Sequence, residues 1–155
     1  MSLIEIDSTT PVSAIMSTKV VTVTPDDSLS SVRRLFDKQK FHHLIVVERS
    51  KAVGVISHRD LLKHLSPFVG TLSEKNRDSW TLDKRVHQVM TRSIVWMEQD
   101  SPITEAALLM AANRVSCLPV LDKKGRPVGI LTSRDILRWV ADCMLSHPED
   151  GAKAA

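Results

Sequence analysis

A ten-residue stretch, Val53-Gly54-Val55-Ile56-Ser57-His58-Arg59-Asp60-Leu61-Leu62, returns as Val128-Gly129-Ile130-Leu131-Thr132-Ser133-Arg134-Asp135-Ile136-Leu137, a shift of 75 positions. Upstream the match continues at a shift of 74, with Met16 answered by Met90, Val21 by Val95, Leu35 by Leu109, Leu44 by Leu118 and Val46 by Val120. The one-residue slip falls between Glu48-Arg49-Ser50-Lys51 and Asp122-Lys123-Lys124-Gly125-Arg126, where a hairpin loop absorbs an insertion. Duplication constrains the fold more than any composition does. Two copies of one unit form a pseudo-symmetric pair, and ligands favour the seam where such halves meet.

At 155 residues the chain fits one compact domain or two small units sharing a core. Hydrophobic residues make up 43% and charged residues 25%, as in ordinary globular proteins. Aromatics are scarce at 4%, so Val, Leu, Ile, Met and Ala must build the interior. The net charge of +3 is slight and its basic residues alternate with acidic ones, which argues against nucleic acid as a partner. Only Cys117 and Cys143 are present, without a CxxC pair, so neither a disulfide scaffold nor a zinc ribbon is expected. No run approaches the ~20 apolar residues of a membrane span. The opening Met1-Ser2-Leu3-Ile4-Glu5-Ile6-Asp7 is acidic where a signal peptide would be basic. A reducing, cytoplasmic setting is the expectation.

Copy one is read at 11–65 and copy two at 85–145, each as helix, strand, helix, strand, strand, helix. Residues 1–10 read as a loose arm or a strand that docks on a neighbour, and 146–155 as a frayed tail. The polar stretch 66–84 reads as a linker with Trp80 and Leu82 as its apolar anchors. Val20-Val21-Thr22-Val23 and its counterpart Ile94-Val95-Trp96-Met97 are β-rich. Asp27 and Ser101 are N-cap residue types, and Pro102 suits a first helical position. Leu29, Val32, Leu35 and Phe36 then recur at helical spacing, as do Ile103, Ala106, Leu109 and Met110. Each helix therefore buries one stripe.

Leu44 to Val47 and Leu118 to Leu121 are unbroken apolar runs. A polar turn joins each to another run, Val53 to Ile56 and Val128 to Leu131. This predicts hairpins covered on both faces, or on one face plus a partner repeat. Closing helices are predicted from Arg59 to about His64 and from Arg134 to about Leu145. The whole is expected to be an α+β fold of two units packed through their sheets. A second apolar face, on the helices near Leu29–Phe36 and Ile103–Met110, predicts a homodimer.

The motif closing each copy is Gly, two apolar residues, Ser or Thr, any residue, Arg, Asp. Taken locally, Ser57-x-x-Asp60 and Thr132-x-x-Asp135 are capping boxes, and one such box alone is better explained by capping than by ligand binding. The same residues also suit a nucleotide. A helix N-terminus offers free N–H groups to phosphate. Arg59 or Arg134 adds a planar guanidinium beside it. A carboxylate at the start of a helix can accept both hydroxyls of a ribose. Diol acceptor, phosphate binder and helix start coincide twice, with an apolar seam between the copies to wall a base.

On these residues the chain resembles a tandem pair of CBS domains (cystathionine-β-synthase domains), a Bateman module of the stand-alone bacterial type. The resemblance covers about residues 11–65 and 85–143. Its carriers are the paired motifs, the openings Ile15-Met16-Ser17 and Val89-Met90-Thr91, and the run Ser116-Cys117-Leu118-Pro119-Val120-Leu121-Asp122. It implies two βαββα units, each with a leading helix, and two clefts related by pseudo-twofold symmetry. It further implies an adenosine-containing ligand, AMP, ADP, ATP or S-adenosylmethionine, with Mg2+ as an optional companion and no obligatory cofactor. Carried over by motif, Asp60 and Asp135 hold ribose hydroxyls, and Ser57 and Thr132 lie beside ribose or phosphate. Val20 and Ile94 offer backbone groups and apolar contact to adenine, with Ser17 and Thr91 nearby. Arg59 and Arg134 are phosphate candidates. Copy one departs from the pattern, because His42-His43 stands where copy two has Ser116-Cys117. The histidines at that cleft mouth either bind phosphate or crowd the base.

His42, His43, His58 and His64 raise the question of a metal. Adjacent histidines on a strand point to opposite faces, so His42 and His43 do not share an ion and no metal site is expected. No Ser-His-Asp order, paired-carboxylate signature or phosphate loop is present, and Cys117 on a strand reads as a small hydrophobe. No catalytic residue is expected. Trp96, Trp139 and the methionines are expected in the core or on a dimer face. The reading is a non-catalytic, energy-sensing regulatory module that acts on an effector protein in trans, since no enzyme or transporter is fused within this sequence. The alternatives are a structural dimerisation module indifferent to nucleotides and a nucleic-acid-binding accessory protein.

Overall fold

The computed structural model describes residues 9–146; the expected arm up to residue 8 and the tail from residue 147 lie outside the described residues. Copy one supplies β1 (Thr22–Val23), α1 (Leu29–Lys38), β2 (His43–Glu48), β3 (Lys51–Ser57) and α2 (His58–His64). The short α3 (Asn76–Ser79) follows, and copy two supplies α4 (Ile103–Asn113), β4 (Cys117–Leu121), β5 (Pro127–Thr132) and α5 (Ser133–Ser146). Where leading helices are expected, the chain makes single 3-10 turns, Val12–Ala14 and Val86–Gln88.

β2 and β3 pair antiparallel from His43 with Ser57 to Glu48 with Lys51. Their two-residue loop, Arg49-Ser50, has both residues at positive φ, the primed geometry that matches strand twist. β4 and β5 pair from Cys117 with Thr132 to Leu121 with Pro127. Their longer loop places Gly125 at φ 78°, a region that favours glycine. Asp122 holds this loop, accepting from the N–H groups of Lys124 and Arg126 at 2.8 and 2.9 Å. The difference between these two loops accounts for the one-residue slip between the copies.

Several boundaries differ from the expectation. α1 is capped by Ser28 rather than Asp27: the Ser28 hydroxyl accepts from the Ser31 N–H at 3.2 Å, while Asp27 accepts from the Thr24 N–H in the preceding turn. α4 starts after Pro102 rather than Ser101, and Pro102 has no oxygen on its side chain to cap with. β1 covers Thr22–Val23 alone, since Val20 donates its N–H to the Thr18 carbonyl in a tight turn. Its counterpart in copy two is only a bridge from Met97 to Val120. Thr22 pairs with Ile45 in copy one, but the position matching Ile45 is Pro119, which has no N–H to give a ladder. Trp80 does not anchor the linker, being 66% exposed; the buried group there is Asp78, which accepts from the Ser66 hydroxyl at 2.7 Å and the Lys75 N–H at 2.9 Å. These bonds hold the Asp78 carboxyl below its usual range, the Ser66 bond contributing most. Trp139 packs on the second core, whereas Trp96 is 44% exposed.

The two hydrophobic cores do not coincide with the two copies. Core one combines Leu29, Val32, Leu44, Val46 and Ile56 with Val86 and Met90 from the opening of copy two. Core two combines Ile103, Ala106, Leu118, Val120 and Leu131 with Val12 from the opening of copy one, Met16 packing alongside. The openings are thus exchanged, and backbone bonds fix the exchange. Ser17 and Ile130 exchange two bonds of 2.9 Å each, and Thr91 and Val55 exchange bonds of 2.9 and 3.0 Å. The motif glycines make room for it. A Cβ on Gly54 would lie 2.8 Å from the Met90 sulfur, and one on Gly129 would collide with the Met16 sulfur.

Strand residues alternate between faces. Ile45, Cys117, Pro119 and Leu121 point away from the cores and are buried as well. The hairpins carrying them meet at both ends, through Ala52 N–H on the Gly125 carbonyl at 2.9 Å and His43 beside Ser116 at 3.5 Å. The faces covered on both sides explain the unbroken apolar runs.

Candidate functional site

Each closing helix starts at the end of its hairpin. The Ser57 hydroxyl accepts from the Asp60 N–H at 3.1 Å, and Asp60 Oδ2 accepts from the Ser57 N–H at 2.9 Å and its hydroxyl at 2.6 Å. Thr132 and Asp135 repeat this with 3.4, 2.8 and 2.7 Å. The capping boxes are therefore formed. Both engage Oδ2, and no hydrogen bond within the described residues falls on Oδ1 of either aspartate. The first residue of each closing helix is also tied back to the opening of its hairpin: His58 N–H donates to the His42 carbonyl at 2.8 Å, and Ser133 N–H to the Ser116 carbonyl at 2.9 Å.

Because the openings are exchanged, the two motifs face clefts built by both copies. The Asp135 cleft, about 450 Å3, sets Thr132, Arg134 and Asp135 of copy two against Ser17 and Val21 of copy one. The Asp60 cleft, about 290 Å3, sets Ser57, Arg59 and Asp60 of copy one against Thr91 and Ile94 of copy two. His43 and Ser116 line both clefts and form their common wall, and His42 lines the Asp135 cleft. A third cavity of about 560 Å3 runs along His42, His58, Arg59 and Arg114 and shares walls with both.

Of the residues expected at the site, Val20 alone stands in neither wall; Lys19 and Val21, on either side of it, form that part of the Asp135 cleft. The sequence reading missed five cations, Lys19, Lys40 and Arg138 in one cleft and Lys63 and Arg114 in the other. A signal existed. Lys40 matches Arg114 at the shift of 74, and Lys63 matches Arg138 at 75, so basic character recurs at equivalent positions.

Burial pushes the His43 imidazole below its ordinary pKa, His42 beside it adds to this, and Asp60 opposes both. Burial, with Asp135 nearby, pushes the Cys117 thiol up to about 12, so it is protonated and inert near neutral pH. The His42 and His58 rings meet edge to face with centroids 5.9 Å apart. Among the described residues, no three His, Cys, Asp or Glu side chains cluster as metal ligands would. Nor is any described helix long and apolar enough to cross a membrane.

The family model for the CBS domain matches residues 12–67 and 86–142. Inosine-5'-monophosphate dehydrogenase of Methanocaldococcus jannaschii is 37% identical over 120 residues, covering 77% of this chain and 21% of that protein. The chain thus spans about a fifth of that relative's length. The solved CBS domain pair of protein MJ0100, in complex with 5'-methylthioadenosine and S-adenosyl-L-methionine, superposes with a TM-score of 0.71 at 28% identity, over 86% of this chain and 97% of that one. The cytosolic domain of the Mg2+ channel MgtE, in complex with ATP, gives 0.65 at 26% identity, over 83% and 48%.

Proposed function

This chain belongs to the CBS-domain family, and from that premise we propose that it is a non-catalytic regulatory module binding an adenosine-containing ligand in its two clefts. The observation carrying the proposal is the composite wall. Each cleft opposes the Ser/Thr-x-Arg-Asp end of one copy to the opening of the other. A ligand with a ribose, a base and phosphate finds a free carboxylate oxygen, apolar side chains and cations in one place. The likeness to two pairs solved with adenosine-containing ligands supports the same reading. AMP, ADP and ATP fit the cations better than S-adenosylmethionine does. Mg2+ would arrive on the phosphates, since each cleft offers one carboxylate whose Oδ2 is already engaged.

A ligand held this way touches elements of both cores. Binding ties the copies together and stiffens their seam, a change that an effector protein in trans can read in the cytoplasm. The apolar stripes of α1 and α4 lie inside the molecule, so the second face expected on these helices falls to their remaining residues. Leu108 on α4 and Leu137, Met144 and Leu145 on α5 are exposed instead, and we place the dimer contact there. Sedimentation should give a dimer at tens of micromolar, and Leu108→Glu with Leu137→Glu should give monomer; a wild-type monomer removes the assembly claim.

Calorimetric titration of AMP and ATP into wild type and Asp135→Asn tests the ligand claim. Loss of the charge-assisted bonds should weaken one site by roughly 1.5–3 kcal/mol, about ten- to a hundredfold. The weakened cap should cost about 1 kcal/mol of stability. A lowered melting temperature with unchanged affinity would leave Asp135 as a cap alone.

A further inference from the structure

Resting on that reading, we infer that the two clefts are graded by ligand charge, the Asp135 cleft preferring a triphosphate and the Asp60 cleft responding little to phosphate number, with Lys19 as the deciding residue. The cations of the two clefts occupy matched positions. Arg134 answers Arg59, Arg138 answers Lys63, and Lys40 answers Arg114. The fourth position breaks the symmetry, because Lys19 in the Asp135 cleft is matched by Ser93 in the Asp60 cleft. Four cationic side chains thus face one carboxylate in the first cleft, and three face one carboxylate in the second. Among the described residues none of these seven cations forms an ion pair. Their charge is left for a ligand.

The hydrogen bonds around the deciding position correspond in the two copies. Val20 N–H donates to the Thr18 carbonyl at 3.0 Å, and Ile94 N–H to the Arg92 carbonyl at 3.0 Å. The exchanged bonds of Ser17 and Thr91 anchor each turn on the opposite copy. Lys19 and Ser93 therefore enter their clefts from equivalent places, and the difference between them lies in the side chain. Space does not discriminate, since the Asp60 cleft of about 290 Å3 shares Ser57, Arg59 and Arg114 with the third cavity while the Asp135 cleft holds about 450 Å3. His42 borders the Asp135 cleft and the third cavity, while His43 and Ser116 border all three, so none of these discriminates. Each extra phosphate adds charge for Lys19 to meet. An exposed ammonium–phosphate contact of this kind is worth up to about fivefold in affinity, less as salt rises.

The test titrates AMP, ADP and ATP, without Mg2+ and at low salt, into proteins in which one cleft is weakened. In Asp60→Asn, where the Asp135 cleft dominates, affinity should rise about tenfold or more from AMP to ATP. In Asp135→Asn it should rise by less than about threefold. Adding Lys19→Ser to the first protein should flatten its series, and adding Ser93→Lys to the second should steepen its own. Both positions are exposed, so the same two substitutions made in wild type give the answer if an aspartate variant fails to fold. Equal charge dependence in the two clefts, or swaps that leave the series unchanged, overturn the grading and leave the adenosine site standing. Failure of wild type to bind any of the three nucleotides overturns both.

Discussion

Asp60 and Asp135 cap their helices, and under the proposed function they also hold a ligand. Oδ2 closes the capping box and fixes the carboxylate in place, and Oδ1 takes no hydrogen bond among the described residues. His43 presents a different residue-scale device. It sits in the wall between both clefts, and burial lowers its pKa below the ordinary value. Its folded pKa lies below the unfolded value of 6.5, so as pH falls through and below that value the unfolded chain takes up the proton first. Stability from this group is complete above about pH 6.5 and declines as pH drops toward the folded value. Denaturant melts at about pH 7 and about pH 5 should show a loss in wild type that is smaller in His43→Asn. An unchanged difference between the two pH values would assign the acid sensitivity to other groups.

At the scale of elements, the glycines of the two motifs are explained by methionines that no local pattern connects to them. Gly129 lies under Met16 and Gly54 under Met90, each pair joining a strand of one copy to the opening of the other. Gly129→Ala should destabilise by about 1–3 kcal/mol through overpacking. The double variant with Met16→Ala should recover part of this, giving a coupling of about 0.5–3 kcal/mol by thermal or urea melts. Gly54→Ala should be rescued less by Met90→Ala, because its new Cβ also lies 3.0 Å from the Thr91 carbonyl, a backbone atom held in the exchanged bridge. Additive effects at Gly129 and Met16 would mean that the contact is relieved elsewhere.

For the whole molecule, the exchange makes core one continuous in sequence and core two discontinuous. Every residue of core one lies between Val21 and Met90, whereas core two needs Val12 together with residues from Met97 onward. A fragment cut as 18–91 keeps core one complete. A fragment cut as 9–67, following the sequence repeat, lacks Val86 and Met90. The first should melt cooperatively, if weakly for a chain of its size, and the second should not; circular dichroism melts of both decide it. Matching behaviour would show that the exchanged openings are dispensable for folding.

Much of this was legible from periodicity and repetition. The apolar stripe of α1, the two hairpins and the strand-to-helix motifs follow from local spacing, because helices and strands impose periods that burial then selects. The duplication itself announced a pseudo-symmetric pair and the residue types around its seam. Other features depend on contacts between residues far apart in the chain, which no local pattern encodes. These are the exchange of Val12 and Val86 between cores, the seating of Met16 and Met90 on the glycines, and the pairing of Ser17 with Asp135 in one cleft and Thr91 with Asp60 in the other. A repeat specifies the shape of a unit. Which copy's opening completes which core was decided only when both apolar faces had to be covered at once.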